Sequence, residues 1–280
     1  MIFPQNLHTH TVYSDGKHTP EEMAEGAVRS GCASLGFSEH SPLTGEADPD
    51  GWSMKPASVP GYRAAVLGLR TAYAGRLAVF LGLEQDIDSA PPTDPYDYLI
   101  GSVHGVWADG MYLSVDASPG LFDQTVREHF GGDCYAFAKA YYRREAETAI
   151  KTGCHIVGHF DLITKFNEGG CRFDETDPRC RTAALEAMDA LLERDVIFEV
   201  NTGAMSRGCR TAPYPAPALL RAIRERGGRI CITSDSHHAE TTVHAFPQAA
   251  EQAKACGFRE SWILTESGWI PVPLDQYLVK

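Results

Sequence analysis

Seven short apolar runs recur along this chain, most of them separated by a segment with helical spacing, and that alternation limits the possible folds more than any other feature. The first lies within Asn6–Gly16; the others are Ala33–Ser38, Leu77–Leu83, Tyr98–Val103, Ile156–Gly158, Val196–Thr202 and Arg229–Thr233. Helices are predicted for Tyr62 to Arg76, Tyr135 to Lys151, Arg181 to Arg194, Pro217 to Arg226 and Val243 to Cys256. Another opens at Thr19-Pro20-Glu21-Glu22, an N-cap followed by proline and acids, and closes at Gly31. Near-continuous apolar strands alternating with helices argue for a parallel sheet buried on both faces. Seven such units, with no break in composition across residues 1–280, predict one α/β domain: a barrel, incomplete or distorted relative to the eight-stranded form. A loop rich in Pro, Gly and Asp runs from His40 to about residue 60. Residues 107–128 read as an insertion or lid, and 262–278 as a short strand and tail.

Polar residues collect at one end of these strands. His8 and His10, His40, Glu84, His104, His159, and Asp235 with His237 all sit at or just past carboxyl ends, the rim on which β/α barrels build active sites. His8 and His10, at i and i+2 on an extended run, point to one side of the pleat about 7 Å apart, a spacing that suits one metal ion. Any one of these residues has an ordinary structural explanation, but six of the eleven histidines on one rim do not. Imidazole and carboxylate without thiolate favour Zn, Mn or Fe, and the pool, with Asp15, is too large for one ion. Two or three ions sharing a bridging carboxylate would use it. His18, His129, His155 and His244 fall elsewhere and read as solvated or structural, and His238 neighbours a proposed ligand but points the other way.

The formal charge of −12 argues against non-specific binding to nucleic acid or anionic membrane, while bound cations would still admit an anionic substrate. Eight cysteines without a CxxC pair read as reduced, buried thiols. The start Met1-Ile2-Phe3-Pro4-Gln5 lacks a leader pattern and no uncharged run reaches membrane-spanning length, so a cytoplasmic protein is expected.

The run His8-Thr-His10-Thr-x-x-Ser-Asp15-Gly16 is followed by Ser38-Glu39-His40, Gly82-Leu83-Glu84, Gly101-Ser102-Val103-His104, Gly158-His159-Phe160-Asp161, Glu199-Val200-Asn201-Thr202 and Ser234-Asp235-Ser236-His237. Together, in this order over residues 6 to 238, they resemble the polymerase and histidinol phosphatase (PHP) family, and within it the histidinol-phosphate phosphatase branch. The resemblance implies a distorted seven-stranded (β/α)7 barrel with three divalent ions. Position by position it implies that His8, His10, Glu84 and Asp235 hold the first, that Glu84 bridges to a second held by His104 and His159, and that Asp15, His40 and His237 hold the third. Residues 105 to 128 match no common pattern of the family.

The activity implied is hydrolysis of L-histidinol phosphate to L-histidinol and phosphate, a step of histidine biosynthesis. A hydroxide bridging the metals would be the nucleophile, with Glu84, Asp235 and Asp15 as the catalytic carboxylates. Arg207 and Lys165, with Arg210, are placed to reach the phosphate. Glu199, Asn201 and Asp161 are candidate acceptors for the substrate's ammonium and imidazole, although Glu199 could instead orient a ligand histidine. The alternatives are a PHP phosphoesterase acting on nucleotides or nucleic-acid ends, which the acidic balance disfavours, and a decayed scaffold, which the nine competent ligand positions disfavour. Oligomeric state is left open.

Overall fold

A computed structural model describes residues 3–43, 47–48 and 51–278. Helix α1 (Pro20–Arg29) starts on a capping box in which Thr19 and Glu22 satisfy each other's end groups, with Pro20 in the first turn, where its missing N–H costs nothing. It leads to β1 (Ser34–Phe37), α2 (Val59–Ala72), β2 (Ala78–Asp86) and β3 (Tyr98–Ser102). An antiparallel hairpin of β4 (Gly105–Ala108) and β5 (Met111–Ser114) and helix α3 (Pro119–His129) come next. Helix α4 (Cys134–Thr152) ends at Gly153, whose φ of 64° is the left-handed conformation glycine adopts without strain. The alternation resumes with β6 (Ile156–Val157), α5 (Pro178–Leu192), β7 (Ile197–Asn201), the single turn α6 (Gly203–Ser206), α7 (Pro217–Glu225), β8 (Arg229–Thr233) and α8 (Phe246–Ala255). A second antiparallel hairpin, β9 (Glu260–Thr265) and β10 (Gly268–Pro273), completes the chain.

Strands β1, β2, β3, β6, β7 and β8 form one sheet in that order, parallel at every pairing. The opening run does not add a seventh ladder. It lies between the two edge strands, with parallel bridges from Phe3 to Cys32 and Asn6 to Leu35 on one side and from Thr9 to Ser236 on the other. Asn6 accounts for the broken pairing. Its side-chain amide, rather than the main chain, meets the end of β8, accepting from Ser234 N–H at 3.1 Å and donating to Ser234 Oγ at 2.8 Å. The distorted (β/α)7 barrel is therefore built of six laddered strands and one bridged stave.

Inside the barrel, Leu7, Phe80, Tyr98, Ile100, Ile156 and Ile197 pack together. The Tyr98 hydroxyl donates to the carbonyl oxygens of Leu7 and Phe37, and its ring occupies the space opposite two glycines. A Cβ on Gly36 or on Gly82 would stand 2.2 Å from Tyr98 atoms. The β9–β10 hairpin is tied to the opening stave by Gln5, whose amide donates to Leu264 O at 2.8 Å and accepts from Leu264 N–H at 2.7 Å.

Two stretches differ from the sequence reading. Residues 107–128, expected as an insertion or lid of weak periodicity, are a hairpin and a helix. Asp109 and Gly110 at the hairpin tip have φ of 52° and 78°, the two left-handed residues that tight hairpins use, so the Asp-Gly pair was the available signal. Residues 262–278, expected as a strand and tail, are largely the second hairpin. Helix ends shift by a few residues, as at α2, where Pro60 lies in the first turn and the helix begins ahead of Tyr62. Of the loop expected between His40 and residue 60, positions 44–46 and 49–50 lie outside the described residues, as do 1–2 and 279–280. Among the described residues no helix is long and apolar enough to cross a membrane, and all eight cysteines are free.

Candidate metal centre

Glu84 lies in the buried stretch of β2, and its two carboxylate oxygens face different neighbours. Oε2 is 2.6 Å from His40 Nδ1, 3.4 Å from His8 Nε2 and 3.6 Å from His10 Nε2. Oε1 is 3.0 Å from His159 Nε2 and 3.4 Å from His104 Nε2. One carboxylate thus joins two sets of imidazoles.

Asp235, just past β8, completes the first set. Its Oδ1 is 3.3 Å from His10 Nε2 and 3.6 Å from His8 Nε2. Its φ of 47° is rare for a residue with a Cβ, and such strain is held where surrounding structure fixes it. Asp15 Oδ1 lies 3.2 Å from His237 Nε2 and 3.5 Å from His40 Nε2, a third grouping. All nine ligand candidates therefore converge. Among these nine residues three clusters have one donor atom per residue within 4.8 Å of the others: His10-Asp15-His40-His237, His8-His10-Glu84 and His40-Glu84-His104; a fourth, His18-His238-Glu240, lies outside the nine. His40 differs from the implied partition, because its ring stands between Glu84 and Asp15 and faces both.

Donor chemistry here fits divalent cations. Buried and without a hydrogen-bond partner are His8 Nε2, His10 Nε2, His40 Nδ1, Asp15 Oδ1 and Glu84 Oε2. Lone pairs of imidazole and carboxylate aimed at one another cannot satisfy each other, and buried polar atoms left so are costly unless a cation stands between them.

Charge is correspondingly distorted. Burial alone would raise Glu84, yet His40, His8 and His104 hold it well below the carboxylate range. Burial lowers His40, but Glu84 and Asp15 overcome that and push it up to about 10. His10, buried between His40 and His237, drops to about 3. Burial likewise opposes ionisation of Asp235, and Arg207 and His8 still hold it far down.

Two carboxylates lie behind the cluster. Glu199 Oε1 is 2.6 Å from His8 Nδ1, and Asp86 Oδ2 is 2.8 Å from His104 Nδ1. An acceptor at Nδ1 fixes the ring proton there and leaves the Nε2 lone pair pointing at the centre. Glu199 also accepts from His159 N–H, Thr233 Oγ1 and Asn201 Nδ2.

A cavity of about 470 Å³ opens over the cluster, walled by Trp52, Tyr112, Asp116, Leu121, Lys165 and Arg207 among others. Arg207 donates to Asp235 Oδ2 at 2.9 Å, and Lys165 donates to Asp116 Oδ2 at 2.9 Å. Four other sequence candidates do not reach this space. Glu199 and Asn201 have no exposure, and Asn201 spends its oxygen on Gly203 N–H at 2.7 Å. Asp161 is buried and accepts from Ala216 N–H, while Arg210 turns to Thr164 O at 2.6 Å. Asp86, Trp52, Tyr112 and Asp116 were not found from sequence. Only Asp86 carried a signal, since two residues after Glu84 on one strand it shares its face. Trp52 packs edge-on against His40 and His104, with ring centroids 4.6 and 5.0 Å away. A larger cavity of about 850 Å³ beside Phe80 and Leu264 contains none of the clustered ligands.

The model of the PHP domain matches residues 6–203. A protein of Deinococcus radiodurans named probable histidinol-phosphatase is 31% identical over 90% of this chain and 93% of its own. The histidinol-phosphatase of Bacillus subtilis is 25% identical over 88% of this chain and 97% of its own. The crystal structure of histidinol phosphate phosphatase from Lactococcus lactis, complexed with Zn, L-histidinol and phosphate, superposes with a TM-score of 0.67 at 20% identity, covering 96% of this chain and 100% of that one. With that domain matched across most of its length and its histidines and carboxylates gathered at one barrel rim, the chain belongs to the PHP family.

Proposed function

We propose that this protein is a metal-dependent phosphomonoesterase that hydrolyses L-histidinol phosphate to L-histidinol and phosphate, acting in the cytoplasm in histidine biosynthesis. The observation that carries the reading is Glu84, one carboxylate divided between two sets of histidines at the floor of a cavity that also holds Arg207 and Lys165. The family relatives named histidinol-phosphatase support the choice of substrate.

His8, His10, Glu84 and Asp235 would hold one divalent ion, Glu84, His104 and His159 a second, and Asp15, His40 and His237 a third, each being Zn, Mn or Fe. When bound, the ions supply Lewis-acid stabilisation of the phosphoryl oxygens and activate water at neutral pH. The protein's own role is positional. Glu199 and Asp86 hold His8 and His104 in one tautomer and orientation, so no reorganisation is needed at the moment of reaction. Arg207 lines the cavity while its two terminal nitrogens donate to Asp235 Oδ2 and Asp235 O, and its remaining N–H groups would meet a phosphoryl oxygen. Lys165 adds a second cation on the wall that carries Asp116.

The test is phosphate release from L-histidinol phosphate beside a panel of nucleotide and sugar phosphates, with protein reconstituted separately with Zn, Mn and Fe. The expected kcat/KM for histidinol phosphate exceeds that for every other ester by at least about a hundredfold and is lost in His8→Ala. Equal or better turnover of nucleotides would overturn the substrate assignment.

A further inference from the structure

Four carboxylates line the cavity: Asp15, Glu84, Asp116 and Asp235. Three of them face histidine nitrogens in the clusters described above. Asp116 does not; among the described residues its ion-pair partner is Lys165. It stands in the turn between β5 and α3, where Ser114 Oγ accepts from the N–H groups of Asp116 and Ala117 and donates weakly to Asp116 Oδ1 at 3.3 Å. Lys165 Nζ, arriving from the loop after β6, donates to both Asp116 O and Asp116 Oδ2 at 2.9 Å. Both side chains are mostly buried yet open to the cavity, with 24% and 13% of their surfaces exposed. The wall therefore presents an anion and a cation side by side, and Oδ1 of the anion is nearly free.

We infer that Asp116 is the acceptor for the substrate's ammonium group and that Lys165 beside it faces the phosphate. This rests on the substrate reading proposed above. Histidinol phosphate carries an ammonium and a phosphate separated by a two-carbon unit, so its charge pattern mirrors that of the Asp116–Lys165 pair. Electrostatics makes such an acceptor necessary. A site charged by divalent cations repels an incoming ammonium, and the carboxylates that bind those cations are already committed. A substrate with a cation next to its reacting group then needs a carboxylate outside that set at its side. Asp116 is held ready for that role, fixed by its turn and kept ionised by its neighbours. Charge-assisted contact of this kind is among the stronger sources of discrimination between two otherwise alike ligands.

The deciding experiment compares L-histidinol phosphate with imidazolylpropyl phosphate, the same ester without its amino group, in the wild-type metalloenzyme, Asp116→Asn and Asp116→Glu. Equilibrium binding of the two product alcohols is measured alongside kcat/KM. The wild type is expected to favour the amine-bearing ester by about a hundredfold. Asp116→Asn is expected to bring that ratio close to one, in binding of the alcohols as well as in turnover, and Asp116→Glu to restore much of it. If Asp116→Asn weakens both esters by the same factor and leaves the ratio intact, Asp116 is a structural residue and the inference is overturned. A wild-type enzyme that hydrolyses both esters equally well overturns the ammonium site but not the phosphatase reading. One that hydrolyses neither, while turning over other phosphates, overturns the substrate reading and this inference with it.

Discussion

His8 Nδ1 and Glu199 Oε1 stand 2.6 Å apart, and neither side chain has any exposure to solvent. The pair fixes which face of the imidazole looks into the cluster. Replacing Glu199 with Gln keeps the shape but removes the charge that makes His8 basic, and Glu199 is the foremost of the carboxylates that hold this histidine well above its usual range against its burial. Glu199→Gln is expected to weaken metal retention by about 10- to 100-fold, read by competition with a chelator. The same change at Asp86 should act on His104, and retention equal to wild type in both variants would count against this orienting role.

Glu39 has a similar role farther from the cluster. It is buried, and it accepts from Thr11 Oγ1 at 2.5 Å and from Ser14 Oγ, which pins the turn that carries Asp15. Glu39→Ala releases that turn. The variant is expected to bind one ion fewer per chain by elemental analysis, keeping the ions nearest His8 and Glu84. Full occupancy would show that Asp15 needs no such anchor.

Glu145 makes stability depend on pH. It lies fully buried in α4, accepts from Tyr141 Oη at 2.6 Å, and its Oε2 has no partner. Burial raises its carboxyl well above the ordinary 4.5. The folded state thus holds this proton more tightly than the unfolded chain, so the stability it contributes is complete below pH 4.5 and is lost as pH rises toward the folded-state value. Glu145→Gln, which cannot ionise, should match the wild type in acid and exceed it increasingly above pH 4.5. Urea midpoints across this range provide the check.

Gly82→Ala sets a new Cβ 2.2 Å from the Tyr98 ring, which is held by two main-chain carbonyls and cannot step aside. The expected loss is about 3 kcal/mol, measured by urea unfolding. Ala at Gly68, which has nothing within 4 Å of a Cβ, is the control and should cost nothing by this route.

What the sequence made legible was the rim. Each histidine of the centre lies in the opening run or within four residues past the end of an apolar run, so the alternation that reveals the barrel also reveals the candidate ligands. Depth below the rim was harder to read. Glu199 precedes the end of β7 by two residues, on the same face as Asn201, and those two steps put it under the cluster instead of in the cavity. Arg207 and Arg210 share one loop, yet the intervening Gly208, at φ 71°, lets the chain turn so that only Arg207 meets Asp235. Asp116 and Trp52 left no trace in periodicity, because a hairpin and a long loop bring them to the site and neither repeats a barrel unit.

The bridged stave at the amino terminus also sets an order of events. Residues 3–10 leave the ribosome before the rest of the barrel, and their partner on the far side, Ser236, and the candidate ligands Asp235 and His237 are made more than two hundred residues later. During synthesis His8 and His10 therefore ride on an open edge with half of their centre not yet in existence. A cation held by both sets would clasp the opening stave to the end of β8, and some of its binding free energy would become the free energy of closing the barrel. Metal starvation would then be felt as a seam that opens, with loss of the fold's closure and loss of catalysis arriving as one event.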